Sequence, residues 1–241
     1  MEPRTSVIEK RLKNISRIIA VASGKGGVGK SLVASSLALH LANNGYRVGL
    51  LDLDLYGPSS HIILGINDAF PTEDKGIIPP KIHGISFISI VFFTEEKPSP
   101  FRGVDISNII LELLAITRWG SLDFLIIDMP PGIGDETLDV IRYMKNSEFL
   151  VVTTPSKVAM GAVSKLLKML IELKKPLLGV IENMTLTDSE FIEEEVKKLN
   201  VRYLGRIHFD ENLEESIGKT DRLIETQAMK NLTGILQKIK L

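Results

Sequence analysis

Hydrophobic positions along this chain switch repeatedly between two periods. Arg17–Ala22 is a short apolar run rich in β-branched residues, as a buried strand requires. Ser31–Asn43 then carries small and apolar residues at helical spacing and stops at Asn44-Gly45. Arg47–Leu53 is strand-like again. Residues 65–84 carry Gly and Pro repeatedly and read as loop or hairpin, followed by a strand-like Ile85–Phe93. The remainder alternates: helix at Val104–Thr117, strand at Phe124–Asp128, helix at Glu136–Asn146, strand at Phe149–Thr153, helix at Ala159–Lys174 and strand at Leu177–Glu182. Phe191–Leu199 and Lys230–Leu241 read as helices, and residues 1–16 as a short leading helix with Val7, Ile8, Leu12 and Ile15 in step. Strands alternating with helices of this length predict an α/β fold, a mostly parallel sheet with helices on both faces. No repeat, low-complexity tract or linker divides the chain, so a single domain over 1–241 is expected.

Bulk properties narrow the picture less. The 241 residues are 44% hydrophobic and 24% charged, an ordinary globular composition, and the net charge of −1 supplies no global field for nucleic acid or a membrane surface. Cysteine is absent, which removes disulfides, thiolate metal sites and cysteine nucleophiles together. The start, Met1-Glu2-Pro3-Arg4, lacks the pattern of a signal peptide, and no apolar run approaches a bilayer span; a cytoplasmic protein is expected.

The densest chemistry lies where the first strand meets its helix. Gly24, Gly29, Lys30 and Ser31 satisfy the G-x-x-x-x-G-K-[ST] spacing within Gly24-Lys25-Gly26-Gly27-Val28-Gly29-Lys30-Ser31. Glycines permit positive φ, so successive N–H groups can converge on phosphate oxygens, and the next helix aims its N-terminus at the same anion. ATP is the expected ligand, with Lys30 on the β and γ phosphates and the Ser31 hydroxyl on Mg²⁺. Lys25 has two readings, a solvated side chain or a cation placed in trans against a partner's nucleotide.

Acidic residues complete the set. Asp52 and Asp54 close a predicted strand two positions apart, a spacing that sends both side chains from one face, where they can hold the metal shell or order water. A solvated strand end or a helix cap is the other reading of Asp54. Phe124-Leu125-Ile126-Ile127-Asp128 has the Walker B form, so Asp128 is a further Mg²⁺ ligand. Met129–Asp135 follows as a Pro/Gly-rich loop suited to sensing the γ-phosphate.

These residues resemble a family. Gly24–Ser31 is similar to the deviant Walker A motif of the MinD/ParA class of P-loop NTPases. Asp52-Leu53-Asp54-Leu55-Tyr56-Gly57-Pro58-Ser59, Arg102-Gly103, Trp119-Gly120-Ser121-Leu122-Asp123 and Asp128–Asp135 look like the Mrp/ApbC ATPases, scaffold or carrier proteins for iron–sulfur clusters. The resemblance runs from about Ile18 to Asp210. It implies a homodimer with ATP near the interface, Lys25 acting across it, Lys30 within its own site and Asp54 on the attacking water. It also implies an adenine contact from Asn183 in Ile181-Glu182-Asn183-Met184, although an asparagine making a local turn would read the same way. The family's C-x-x-C cluster pair follows that asparagine, whereas this chain reads Thr185-Leu186-Thr187-Asp188-Ser189-Glu190-Phe191. With clusters held mainly by thiolates, none is expected on this chain's own residues, and a heteromer with a Cys-bearing paralogue is the natural way to keep a cluster role.

Slow ATP hydrolysis driving dimer switching is therefore the expected function. The alternative is a MinD/ParA-like positioning ATPase, for which Leu232, Ile235, Leu236 and Ile239 beside Lys230, Lys238 and Lys240 would form a basic membrane tail rather than a docked helix. A nucleotide sensor that does not hydrolyse ranks third.

Overall fold

The structure, a computed structural model, describes residues 4–55, 57–93 and 103–239. Tyr56, Arg102, Lys240 and Leu241, each part of a motif or helix named above, lie outside the described residues. The chain begins with α1 (Thr5–Leu12), β1 (Ile15–Ser23), α2 (Lys30–Asn43), β2 (Val48–Asp52) and α3 (Ser60–Leu64). A small antiparallel pair, β3 (Thr72–Glu73) and β4 (Ile77–Ile78), precedes β5 (Lys81–Ile82) and β6 (Ile85–Ser89). Then come α4 (Gly103–Ile116), β7 (Leu122–Asp128), α5 (Asp135–Tyr143), β8 (Ser147–Thr153), α6 (Lys157–Glu172) and β9 (Leu177–Thr185). The chain finishes with α7 (Phe191–Lys198), β10 (Tyr203–His208), α8 (Leu213–Ser216), α9 (Thr220–Leu223) and α10 (Gln227–Lys238).

The main sheet has the order β10-β9-β8-β1-β7-β2-β6-β5, parallel except for the short edge pair of β5 with β6. Side chains alternate across it, so consecutive residues of β1 enter different cores. Ile18, Ala20 and Ala22 pack with α1, α4, α5, α6 and α7; Ile19 and Val21 pack with α2, α3, α9 and α10. Both faces are buried, which is why the central strands read as unbroken apolar runs rather than alternating ones. From β1 the chain crosses over α2 to β2, skipping the position that β7 later fills, while β7 leads over α5 to β8 on the other side. The order therefore reverses beside β1, and the carboxyl end of β1 is where an open α/β sheet leaves a crevice.

Several sequence expectations change. The leading helix ends at Leu12, because Ile15 is claimed by the sheet, opposite Leu122 of β7. Arg47–Leu53 shortens to Val48–Asp52, and Asp54 lies beyond the strand. The strand proposed over Ile85–Phe93 stops at Ser89, where the Ser89 hydroxyl accepts from the Val91 amide and starts a 3-10 turn, Ile90–Phe92. β10 and the short helices α3, α8 and α9 had no counterpart in the sequence reading. Residues 72–78 do form a hairpin. The apolar stripe of α10 is buried: Leu232, Ile235, Leu236 and Ile239 pack into the core against the sheet, so they present no membrane-facing surface. Among the described residues no helix is long and apolar enough to cross a membrane.

Candidate nucleotide site

Gly24 to Gly29 form the turn between the end of β1 and the start of α2. Gly27 and Gly29 take φ values of 76° and 79°, a region that side chains with a Cβ rarely adopt. Ser23 stiffens the entry, its hydroxyl donating to the Lys25 carbonyl at 2.9 Å. Gly24 is pressed against α6: a Cβ there would lie 2.5 Å from the Val163 amide nitrogen. Among the described residues no carbonyl or side chain accepts from the amides of Gly26, Gly27, Val28 and Gly29. A ring of unpaired N–H groups at a helix N-terminus is an anion site, so the cradle suits phosphate.

Lys30 is the first residue of α2, and its side chain is only 5% exposed. Its ammonium pairs with Asp128 and lies 3.8 Å from Asp54 Oδ2 and 3.5 Å from the Ser31 hydroxyl. Asp52 and Asp128 are directly opposite in the β2–β7 pairing, both wholly buried. By strand alternation they share the α2 face with Leu50 and Ile126, which carries both carboxylates towards Lys30. Asp54 reaches the same place from the following turn: its amide donates to Asp52 Oδ1 at 3.1 Å, and its own Oδ1 accepts from Gly57 at 3.1 Å.

The charges in this cluster do not balance. Asp52, Asp54 and Asp128 surround one ammonium in a desolvated place. Burial, then the neighbouring Asp128 carboxylate, pushes the Asp52 pKa up to about 8. Burial also raises Asp128, against the pull of Lys30. A divalent cation would relieve this imbalance, so the residues present fit Mg²⁺. Among the described residues no group of three or more His, Asp or Glu is placed to hold a metal by itself. Two carboxylates and the Ser31 hydroxyl suit a cation shared with phosphates and water, as Mg²⁺ prefers.

Asn183 sits within β9, not in a turn. It is buried, and its Nδ2 donates to the Val28 carbonyl at 2.9 Å, bracing the phosphate loop from a strand that is 155 residues away in sequence. Lys25 points out: its side chain is exposed and has no hydrogen-bond or ion-pair partner among the described residues. Gly132, in the loop after β7, donates its amide to the Ser23 carbonyl at 2.9 Å, so the candidate sensor loop rests directly on the phosphate loop. Trp119–Asp123, one of the family-like segments, lies elsewhere, at the start of β7. There Trp119 packs over Gly49, and Asp123 binds the Arg47 side chain at 2.6 Å and its amide at 2.8 Å, which holds Asp123 down at about 2. Its task is structural.

Ser60 escaped the sequence reading. It opens α3, wholly buried, and hydrogen-bonds both Asp52 and Asp128. No local signal marks a serine after Gly57-Pro58-Ser59 as different from its neighbour. Glu182 escaped too: buried beside Asn183, it accepts from the Tyr203 hydroxyl at 2.6 Å, with Arg206 Nε 3.8 Å away and bound onward to Asp188. This network ties β10 to the exposed loop that follows β9.

Known proteins are similar to this chain in sequence and fold. The family described as ParA, NUBPL iron-transfer P-loop NTPase, matches residues 14–240. A Rickettsia felis protein named iron-sulfur cluster carrier protein is 42% identical over 186 residues, covering 77% of this chain and 58% of its own length. Its Aquifex aeolicus namesake is 44% identical over 179 residues, covering 73% of this chain and 49% of its own. This chain thus spans only about half of the length of such relatives. Among solved structures, a nucleotide-binding protein of Archaeoglobus fulgidus in complex with ADP superposes with a TM-score of 0.76 at 32% identity, covering 92% of this chain and 93% of that one. The cell division ATPase MinD of Pyrococcus furiosus, at 22% identity and a TM-score of 0.71 over 93% of this chain and 98% of its own, shares the fold.

Proposed function

This chain belongs to the ParA-type family of NUBPL iron-transfer P-loop NTPases, and on that premise we propose that it binds ATP with Mg²⁺, hydrolyses it slowly, and uses the cycle to pair with and release a second subunit in iron–sulfur cluster assembly. The observation that carries the reading is the loop of unpaired amides with Lys30 buried at its end against Asp128. The Archaeoglobus relative, solved with ADP, supports it.

Each residue then has a task. The amides of Gly26 to Gly29 take phosphate oxygens, and Lys30 exchanges its carboxylate partner for the β and γ phosphates. Mg²⁺ would neutralise charge on those phosphates, held by the Ser31 hydroxyl, Asp128 and Asp52. Asp54, at the mouth and still in reach of Lys30, orders the attacking water. Lys25 extends away from its own loop and stabilises the transferring phosphoryl on the opposite subunit, as an arginine finger does. Asn183, with one amide hydrogen committed to Val28, keeps its carbonyl oxygen for the adenine edge.

Exposed apolar side chains near the loop favour pairing of subunits over this surface. Val158 is exposed in the first turn of α6, the helix that packs on Gly24. Met184 approaches Gly29, and Leu186 is 78% exposed two residues later. The cluster itself is cargo. Thr185 to Phe191 offer only oxygen donors, so thiolate ligands for it would have to be supplied from outside this segment.

Isothermal titration calorimetry with Mg²⁺-ATP tests the core of this reading. Micromolar or tighter binding is expected for the wild type, and loss of at least 100-fold, about 2.7 kcal/mol, for Lys30→Ala. A folded wild type that takes up no heat with Mg²⁺-ATP would refute it.

A further inference from the structure

Two of the buried carboxylates share a hydrogen-bonding partner that the phosphate loop does not supply. Ser60 donates its amide to Asp52 Oδ2 at 3.3 Å and its hydroxyl to Asp128 Oδ2 at 3.2 Å. Asp128 carries Lys30 on its other oxygen, and Asp52 carries the Asp54 amide on its own. Each carboxylate is therefore pinned at both oxygens, once by the site and once by Ser60. The last torsion of an aspartate is broad, so a carboxylate held at one oxygen rotates readily. Freed from Ser60, Asp128 would pivot about its bond to Lys30, and its second oxygen would no longer be held in place for a metal shared with Asp52.

Ser60 is also the first residue of α3. Beyond it Ile62, Gly65, Ile66, Phe70 and Phe93 line an open groove of about 830 Å³. A change in the two carboxylates is thus felt at the first peptide of a helix that borders this groove.

We propose that Ser60 is a positioning residue that holds Asp52 and Asp128 side by side for the metal and moves α3 when the metal–nucleotide site fills. The inference rests on the Mg²⁺-nucleotide reading above and concerns a residue outside the phosphate loop. Ser60→Ala keeps the amide bond to Asp52 and removes only the hydroxyl. Calorimetry compares ATP binding in EDTA with binding across a Mg²⁺ series, and hydrogen exchange follows amides 60–66 with and without Mg²⁺-ATP. In the variant, ATP affinity in EDTA should stay within about twofold of wild type, while half-saturating Mg²⁺ rises about tenfold, as loss of a carboxylate's outer partner typically costs. The exchange protection that α3 gains on nucleotide binding should shrink. Ser60→Cys, near in size and a weaker donor, should fall between the two, and it carries the same comparison if the alanine variant does not fold.

An equal loss in EDTA and in Mg²⁺ would mark Ser60 as merely structural and overturn the proposal, as would an unchanged Mg²⁺ dependence. If the wild type itself binds no ATP, the nucleotide reading has failed, and the Ser60 role falls with it; wild-type binding with an indifferent Ser60→Ala isolates the failure to Ser60.

Discussion

Replacing Gly29 with alanine should cost more stability than the same replacement at Gly27, and the excess should vanish once Asn183 is also alanine. The two glycines have nearly equal backbones, φ 79° and 76°. Forcing an L side chain into that region costs about 1–2 kcal/mol, offset in part by a stiffer unfolded chain, leaving about 1 kcal/mol at either site. A Cβ on Gly27 meets nothing within 4 Å, so strain is its whole cost. On Gly29 it would collide with Asn183 Nδ2, the atom that donates to Val28. Displacing that buried amide adds about 1–3 kcal/mol, for a total near 3 kcal/mol. At about 2–4 °C per kcal/mol in a chain of this size, Gly29→Ala should lower Tm by about 6–12 °C and Gly27→Ala by about 2–4 °C. In an Asn183→Ala background the collision is gone, and Gly29→Ala should cost only its strain, a coupling of about 2 kcal/mol. Urea unfolding of nucleotide-free protein, with m unchanged, measures all four corners of the cycle. Simple addition of the two substitutions, or equal costs at Gly27 and Gly29, would refute the claim that Asn183 braces the loop.

Asp54→Ala and Lys25→Ala should both cut steady-state phosphate release at least tenfold while leaving Mg²⁺-ATP affinity of the isolated subunit within about threefold, since neither side chain forms the cradle; wild-type turnover in either variant removes the role assigned to it. The buried carboxylates also set a pH dependence. With its folded pKa raised from 3.8 to about 8, Asp52 holds a proton in the folded state that it gives up on unfolding. Its stabilisation is complete below about pH 4 and is lost as pH rises through 8, so nucleotide-free protein should lose about 1 kcal/mol between pH 7 and pH 8. The lowered pKa values of His40 and His61 act with the opposite sign, but only below pH 7. Saturating Mg²⁺-ADP should flatten the slope, and urea midpoints that rise from pH 7 to pH 8 without nucleotide would contradict it.

Read without its fold, the chain already declares the phosphate loop, because every part of that device is local. Gly24, Gly29, Lys30 and Ser31 lie within the eight residues that join a strand to the first turn of a helix, and the periods of both are plain. Asp128 is equally legible, as a charged residue that ends an apolar run. β10 was not, since Tyr203, Gly205 and Arg206 lack the apolar run of a central strand and are tolerated by an edge position with only β9 beside it. Likewise α3, five residues long, is too short to show a period.

What the fold alone decides is who meets whom at the site. Lys30 and Asp128 are 98 residues apart, Ser60 and Asp128 are 68, and Asn183 and Val28 are 155. Those meetings follow from strand order and register, above all from β7 entering between β1 and β2 so that Asp52 and Asp128 stand opposite each other. Hydrophobic period reports which face of a strand is buried but not which strand lies beside it. Neighbours are chosen by the crossovers and by the packing of both cores at once, and so the second set of contacts around the phosphate loop exists only in three dimensions.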